Sequence, residues 1–222
     1  MEAKRNESAA EAFASAHIQI NAHSSIRIEA GELVLYVDPF QLKQAPQDAD
    51  LVFFTHDHFD HLSPPDVERV SKPETVFVAP ASAEAAAGAA AAGRPLVLVE
   101  PGGAYSASGL AFEAVPAYNP AKPFHPKQRR WVGYLLQAGG LRIYVAGDTD
   151  ATGEAAALRC DVALLPIGGK YTMDPPQAAG LANAIRPAVV IPTHFGAVAG
   201  SAEDGERFAA LVDPAIRVIR KI

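Results

Sequence analysis

The segment FFTHDHFDHLSP, residues 53–64, places three histidines and two aspartates within six positions directly after an apolar run. Such side chains are mostly exposed or paired in folded proteins, so folding seldom gathers them behind a buried strand. Imidazole and carboxylate groups are ligands of metals such as zinc, iron and manganese. A solvated acidic turn would not need this spacing of histidines, and the segment therefore predicts a metal site.

The spacing divides these residues into two sets. His56 and His58 lie two positions apart, so in extended backbone their side chains face the same way. Asp60 and His61 are adjacent, so their side chains diverge and would serve a second metal. The sequence therefore predicts two metals about 3.5–4 Å apart that activate a shared water.

Two later segments also end in polar residues. Asp148 follows the strand-like run IYVAG, and His194 follows VVIPT. In layered α/β folds, sites collect where strands run out into loops. We therefore expect Asp148 to bridge the two metals and His194 to complete the second set. Taken alone, Asp148 reads equally well as a helix cap, and His194 as an ordinary loop histidine.

The chain as a whole predicts an α/β protein with a single domain over residues 17–222 and an N-terminal extension at residues 1–16. Short apolar runs typical of strands alternate with helical segments. Ser63 and Ser82 are predicted to cap two of the helices, and Gly93 is predicted to end the second of them.

Composition narrows the class of protein. The chain has 222 residues, a formal net charge of −6 and a single cysteine, Cys160. An intramolecular disulfide is therefore excluded, and a nucleic-acid surface is disfavoured. Neither a signal-peptide core nor an apolar run of about 18 residues is present. We expect a cytoplasmic protein that acts on a small molecule and binds neither membrane nor nucleic acid, with a homo-oligomer left open.

The pattern His-x-His-x-Asp-His at residues 56–61 resembles the signature of the metallo-β-lactamase superfamily. VAGDTD and IPTHFG match the later ligand motifs of that superfamily, and Asp38 in LYVDPF matches its first motif. The segments NAHSSIRI and LLPIGGKYTMD resemble the small metal-dependent hydrolases that include L-ascorbate-6-phosphate lactonase-like proteins. The resemblance implies a four-layer αββα sandwich over roughly residues 17–222.

The chain departs from the family pattern at one ligand. The family usually supplies another histidine to the first metal, and this chain has Tyr118 and Asn119 at the expected place. The nearest histidine is His125 in KPFHPK. Either His125 swings in from its loop, or the first metal has only the remaining ligands, or it binds weakly. His125 and Asn119 are therefore candidates for contact with metal or substrate.

The resemblance implies a hydrolase whose nucleophile is a hydroxide bridging two divalent metals. Zinc is the expected metal, with manganese or iron as alternatives. Diiron oxidoreductases of the superfamily usually carry glutamate where His58 stands, which favours hydrolysis. Asp60 would orient the hydroxide, and His194 would anchor the second metal beside the developing oxyanion. The substrate would be a small ester, lactone or phosphorylated molecule.

Further residues are expected around the metals. Metal-bound histidines normally donate their other ring N–H to a carboxylate or carbonyl. Asp38 is the predicted partner in this role, with Asp57 as the alternative carboxylate, and His23 is a further candidate near the site. Tyr171 and Lys170 in GGKYT are expected on the substrate side.

Two other functions remain open. The altered ligand position would allow a metal-binding protein with little or no catalysis, which metal stoichiometry distinguishes from a two-metal hydrolase. A nuclease would need a long substrate-handling insertion or a second domain, for which 222 residues leave little room. It would also show strongly salt-dependent binding to RNA or DNA.

Overall fold

The computed structural model describes residues 2–222, with side chains from residue 7 onward. This part of the chain forms thirteen strands and six α-helices. The strands are β1 Ile18–Ala22, β2 Ser25–Ala30, β3 Leu33–Val37, β4 Ala49–Phe53, β5 Ser71–Pro80, β6 Leu96–Val99, β7 Ala104–Ala107, β8 Leu110–Pro116, β9 Val132–Ala138, β10 Leu141–Val145, β11 Val162–Pro166, β12 Val189–Thr193 and β13 Arg217–Val218. The helices are α1 Glu2–His17, α2 Pro64–Val70, α3 Glu84–Ala91, α4 Gly153–Ala156, α5 Pro175–Ile185 and α6 Asp204–Leu211.

The strands form two sheets that pack face to face. One sheet has the order β1-β2-β3-β4-β5-β6, and the other has the order β13-β12-β11-β10-β9-β8-β7. Phe53 of the first sheet meets Phe112 and Tyr134 of the second in a shared core. The alternate faces pack against helices, with α2 and α3 on the first sheet and α4, α5 and α6 on the second. These layers confirm the predicted αββα fold.

Helix α1 packs against the sandwich. Ala10 and Ala14 are fully buried in the central core, and Lys221 Nζ donates to the carbonyl of Ser15 at 3.0 Å. The division of the chain after residue 16 stays a prediction. At 16 residues α1 is the longest described helix, and none of the described helices combines the length and apolar character needed to cross a membrane.

Helix α3 starts differently from the prediction. A 3-10 turn spans Ala81–Ala83 and runs directly into the helix, so Ser82 lies inside the turn. Ala83 takes the cap position and forms no side-chain hydrogen bond. Ser82 as the cap was therefore wrong, because the turn moves the first orphan backbone donors away from its hydroxyl. At the other end, Ala92 adopts left-handed backbone just before Gly93.

Ser63 occupies the predicted cap position of α2, but its hydroxyl has another partner. It donates to Asp66 Oδ2 at 2.8 Å and makes no side-chain cap bond to the helix backbone. Asp66 also accepts from the backbone N–H groups of Gln41 and Leu42 at 2.9 and 3.0 Å. The start of α2 thereby fixes the chain that follows β3.

Polar loops from the two sheets meet at one edge of the sandwich. β4 runs parallel to β3 and β5, and β10 runs parallel to β11, which runs parallel to β12. Just past the end of β4, the Thr55 carbonyl accepts from the N–H of Val132 at 3.2 Å. The carbonyl of Phe54 accepts from the buried Tyr134 hydroxyl at 2.6 Å. These two contacts hold the His56–His61 loop of the first sheet against the second sheet.

We expect Gly133→Ala to destabilise the fold. A Cβ at Gly133 in β9 would lie 2.5 Å from the Ala146 carbonyl oxygen and 2.6 Å from that of Val145. Overpacking of this kind typically costs about 1–3 kcal/mol, so the melting temperature should fall clearly. Gly180→Ala in α5 is the matched control, because its Cβ would meet nothing within 4 Å. A Gly133→Ala protein that melts with the wild type would contradict this account of β9 packing.

Candidate metal centre

Three histidines converge at one side of the site. His56 Nε2 and His58 Nδ1 lie 3.1 Å apart, and the ring of His125 lies 5.2 Å from that of His56 and 5.1 Å from that of His58. Each of the three offers a nitrogen within 4.8 Å of the others. We call His56, His58 and His125 the first histidine group. The indole of Trp131 packs against all three rings, with centroids 4.8–5.5 Å away.

His125 reaches this group from the long loop between β8 and β9. Its Nδ1 donates to Asn119 Oδ1 at 2.8 Å, and its backbone N–H donates to the same oxygen at 3.1 Å. The backbone N–H of Asn119 donates in return to the His125 carbonyl at 2.7 Å. The His125 loop therefore folds inward, which was one of the three alternatives. Asn119 turns its oxygen toward His125 and orients that ring.

Asp60, His61 and His194 lie close together on the other side of the site, and we call them the second group. His23 lies within reach of the same three residues. His23 Nε2 lies 3.4 Å from Asp60 Oδ2, and its ring centroid lies 3.8 Å from that of His194. The His194 N–H also donates to the carbonyl of His23 at 3.0 Å. The candidate His23 therefore contacts two members of this second group directly.

The carboxylate of Asp148 lies between the two groups. Its Oδ2 is 3.0 Å from His194 Nε2 and 3.3 Å from His125 Nε2, and its Oδ1 is 3.3 Å from His61 Nε2. The six residues predicted as ligands, His56, His58, Asp60, His61, Asp148 and His194, are thus brought together at one place. Their role as metal ligands stays a prediction.

The unpaired polar atoms of the site suit a cation. Among the described residues, the Nε2 atoms of His61, His125 and His194 and Oδ1 of Asp148 are buried without a hydrogen-bond partner. Buried polar atoms are normally hydrogen-bonded. Imidazole nitrogens and a carboxylate oxygen that face one another without a donor between them match the ligand preference of divalent transition metals. The donor atoms around Asp148 therefore fit the binding of divalent metal ions.

Asp38 orients the second group from beneath. Its Oδ2 accepts from His61 Nδ1 at 2.7 Å and from the Thr55 hydroxyl at 2.6 Å, and its Oδ1 accepts from the Thr55 N–H at 2.8 Å. The Thr55 hydroxyl also lies 2.9 Å from His56 Nδ1. With Nδ1 of His61 held as a donor, Nε2 is left to face Asp148. Thr55 was not among the predicted residues, although it directly precedes His56.

The electrostatics of the site follow from burial and from the carboxylates. Burial disfavours a charged His61, but Asp148 and Asp38 outweigh it and raise the pKa of His61 well above its ordinary value. Burial likewise opposes ionisation of Asp148, and His194 and His61 hold its pKa well below the usual range. Burial lowers the pKa of His125 to about 4. A ligating imidazole must be neutral; the lowered pKa of His125 favours that form, whereas metal binding at His61 would have to displace its proton.

The remaining candidates differ in position. Tyr171 lines the cavity above the two groups, which has a volume of about 230 Å³. Lys170 is exposed and lies over the Tyr171 ring at 4.9 Å, outside the cavity lining. Asp57 Oδ1 is buried without a hydrogen-bond partner among the described residues.

Trp131 was not among the predicted residues, because a lone tryptophan before a strand carries no local signal of a site.

The layered fold and the His- and Asp-rich centre at the strand ends define a class, the metal-dependent hydrolases of the metallo-β-lactamase superfamily. The family described as "Beta-lactamase superfamily domain" matches residues 17–194. The chain belongs to this superfamily.

Relatives support the same conclusion. A UPF0173 metal-dependent hydrolase of Thermus thermophilus is 32% identical over 198 residues, covering 84% of this chain and 87% of the relative. The crystal structure of a putative metal-dependent hydrolase from Parabacteroides distasonis superposes with a TM-score of 0.80 at 31% identity, covering 91% of each chain. Igni18, a metallo hydrolase from Ignicoccus hospitalis, gives a TM-score of 0.70 at 26% identity over 92% of this chain and 94% of its own. The chain is a metal-dependent hydrolase, and the narrower resemblance to lactonase-like proteins stays a prediction.

Asp38→Asn should weaken metal binding by about 10–100-fold, the usual effect of removing a partner of a ligating histidine. The NH₂ of an asparagine would face either the Thr55 N–H, where two donors would meet, or His61 Nδ1. In the second case Nδ1 would have to accept, and the His61 proton would move to Nε2, the nitrogen that faces Asp148. Affinity is measured by competition with a chromogenic chelator. Asp57→Asn serves as the matched control and should bind metal like the wild type. Loss of affinity in Asp57→Asn alone would identify Asp57 as the orienting carboxylate.

Proposed function

We propose that this chain hydrolyses a small ester, lactone or phosphorylated molecule with two divalent metal ions, with zinc as the expected metal and manganese or iron as alternatives. The first histidine group and Asp148 would hold one ion. Asp60, His61, His194 and Asp148 would hold the other. The observation that carries the proposal is the position of Asp148, whose two oxygens lie 3.0–3.3 Å from histidines of both groups.

The ions, when bound, would supply a hydroxide nucleophile near neutral pH and positive charge at the developing oxyanion. Asp60 would accept a hydrogen bond from the attacking group and keep it aimed at the substrate. His23, 3.4 Å from Asp60 Oδ2, would hold that carboxylate in place. His194 lies 3.0 Å from Asp148 Oδ2 and lines the cavity, and it would hold its ion beside the developing oxyanion, where charge stabilisation counts most.

A side-chain nucleophile is disfavoured by the chain itself. Burial raises the pKa of the Cys160 thiol to about 12, whereas a nucleophilic cysteine needs a lowered pKa. Cys160 lies just before β11, at the end of the strand opposite to the one that leads into the site. The sequence has no GxSxG segment that would place a serine on a strand-to-helix elbow.

The alternative functions receive less support. A metal-binding protein without catalysis would be favoured by an incomplete first site, but the His125 ring lies 5.1–5.2 Å from those of His58 and His56 and supports a complete one. A nuclease would present cations for phosphate contacts, and no lysine or arginine of the described residues lines the cavity. The cytoplasmic location and the oligomeric state stay predictions.

Replacing His125 tests the ligand set. His125→Ala should reduce bound metal from two ions to one per chain and lower hydrolysis by at least about 100-fold, because the site would lose the activation of water that the second ion would supply. Elemental analysis after gel filtration gives the stoichiometry. His17→Ala is the matched control, since His17 is exposed and at the end of α1. Two ions retained in His125→Ala would exclude His125 as a ligand, and a wild type with one ion or none would support the non-catalytic alternative.

Metal removal tests the reaction class. Dialysis against chelator should abolish hydrolysis of an ester, lactone and phosphoester panel, and added zinc or manganese should restore it. The rate should rise with pH through about 7, as expected for a metal-activated water. Cys160→Ser should retain full activity. Hydrolysis that survives complete metal removal, or that is lost in Cys160→Ser, would contradict the proposed chemistry.

A further inference from the structure

Apolar side chains gather at the mouth of the site. Five large hydrophobic side chains are exposed among the described residues, and three of them, Phe59, Phe124 and Val198, line the cavity above the two groups. Phe59 is 70% exposed, although burying a phenylalanine is strongly favourable. Clustered exposed apolar side chains beside a cavity mark a ligand-binding surface. We call these three residues the apolar rim.

The apolar rim is assembled from three separate loops. Phe59 lies between β4 and α2, Phe124 lies between β8 and β9, and Val198 lies between β12 and α6. The Phe124 ring packs edge-on against that of Tyr171 at 4.8 Å, and Phe59 lies 6.1 Å from Phe40. Since three distant segments each place an apolar side chain here, one apolar run of sequence does not explain the rim.

Positive charge is kept away from the same cavity. Among the described residues, its lining contains neither lysine nor arginine. Lys122 Nζ is paired with Asp150 at 2.5 Å, and Lys127 Nζ is paired with Glu154 at 2.9 Å. Proteins bind phosphate groups mainly through arginine and lysine. The lining itself therefore offers a charged substrate group no lysine or arginine, and the exposed Lys170, over the Tyr171 ring at 4.9 Å, is not part of it.

We propose that the apolar rim binds the hydrocarbon part of an uncharged ester or lactone, and that the site selects such substrates over phosphorylated ones. This inference rests on the hydrolase function proposed above. Water would add across the acyl C–O bond, which breaks to give a carboxylic acid and an alcohol. The acyl carbonyl would lie over the two groups with its chain toward Phe59 and Val198. The cavity of about 230 Å³ is smaller than the roughly 300–1,000 Å³ of drug-sized sites, which suits a short or medium chain.

The test measures binding without turnover. Straight-chain alkanohydroxamates from acetyl to octanoyl chelate metals through one end and carry an acyl chain of variable length at the other. Calorimetric titration of the metal-loaded full chain should show affinity rising about fourfold per methylene, the factor expected for a buried CH₂, until the chain outgrows the cavity. Phe59→Ser and Val198→Thr should flatten this rise while the metal content stays at the wild-type value.

Leu211→Ala is the matched control, because Leu211 is 49% exposed at the end of α6 and does not line the cavity. It should keep the wild-type rise. No rise in a wild type that holds two metals, or an undiminished rise in Phe59→Ser and Val198→Thr, would overturn the role of the rim. Faster turnover of p-nitrophenyl phosphate than of p-nitrophenyl hexanoate would overturn the selectivity. A normal rise without hydrolysis of any p-nitrophenyl ester would sustain the rim and overturn the proposed hydrolysis of esters and lactones instead.

Discussion

The buried carboxylate of Asp148 contacts histidines that follow strands of both sheets. It is only 4% exposed, and burying a carboxylate without compensating partners is costly. Its neighbours come from both halves of the sandwich, because His61 follows β4 of the first sheet and His194 follows β12 of the second. The sheets must therefore meet in one relative register, and the hydrogen bond from Tyr134 to the Phe54 carbonyl fixes it close to the site.

The site could be predicted from the sequence wherever its residues share a local pattern. His56, His58 and the other residues of that short loop stand directly behind an apolar strand, and strand ends meet at one edge of a sheet. The position of His125 could not be predicted in this way. Its ring lies beside His56 and His58 because the His125 N–H and Nδ1 both donate to Asn119 Oδ1. No regular spacing in the sequence predicts this contact. Trp131 could not be predicted either, because a single tryptophan before a strand carries no local signal of a site.

The fold was predictable to a similar extent, since continuous apolar runs such as VALLP in β11 and VVIPT in β12 are fully buried. Two other features were not predictable in this way. β7, with only one buried residue in four, lacks the apolar pattern of an interior strand. The start of α3 depends on a 3-10 turn around Ser82. Residue propensities alone do not predict such a turn. The packing of Ala10 and Ala14 in the core likewise depends on the sheets beneath α1.

Two residues of the apolar rim lie in the same loops as the proposed metal ligands. Phe59 stands between His58 and Asp60, and Phe124 directly precedes His125. An insertion or deletion at either position would displace the neighbouring histidine or aspartate. Phe59 and Phe124 can therefore vary between relatives only by substitution of the side chain. Val198 is separated from the nearest proposed ligand, His194, by three residues, and the stretch at residues 195–203 before α6 contains no proposed ligand. Changes in loop length that alter substrate range during evolution are therefore expected to accumulate in that stretch.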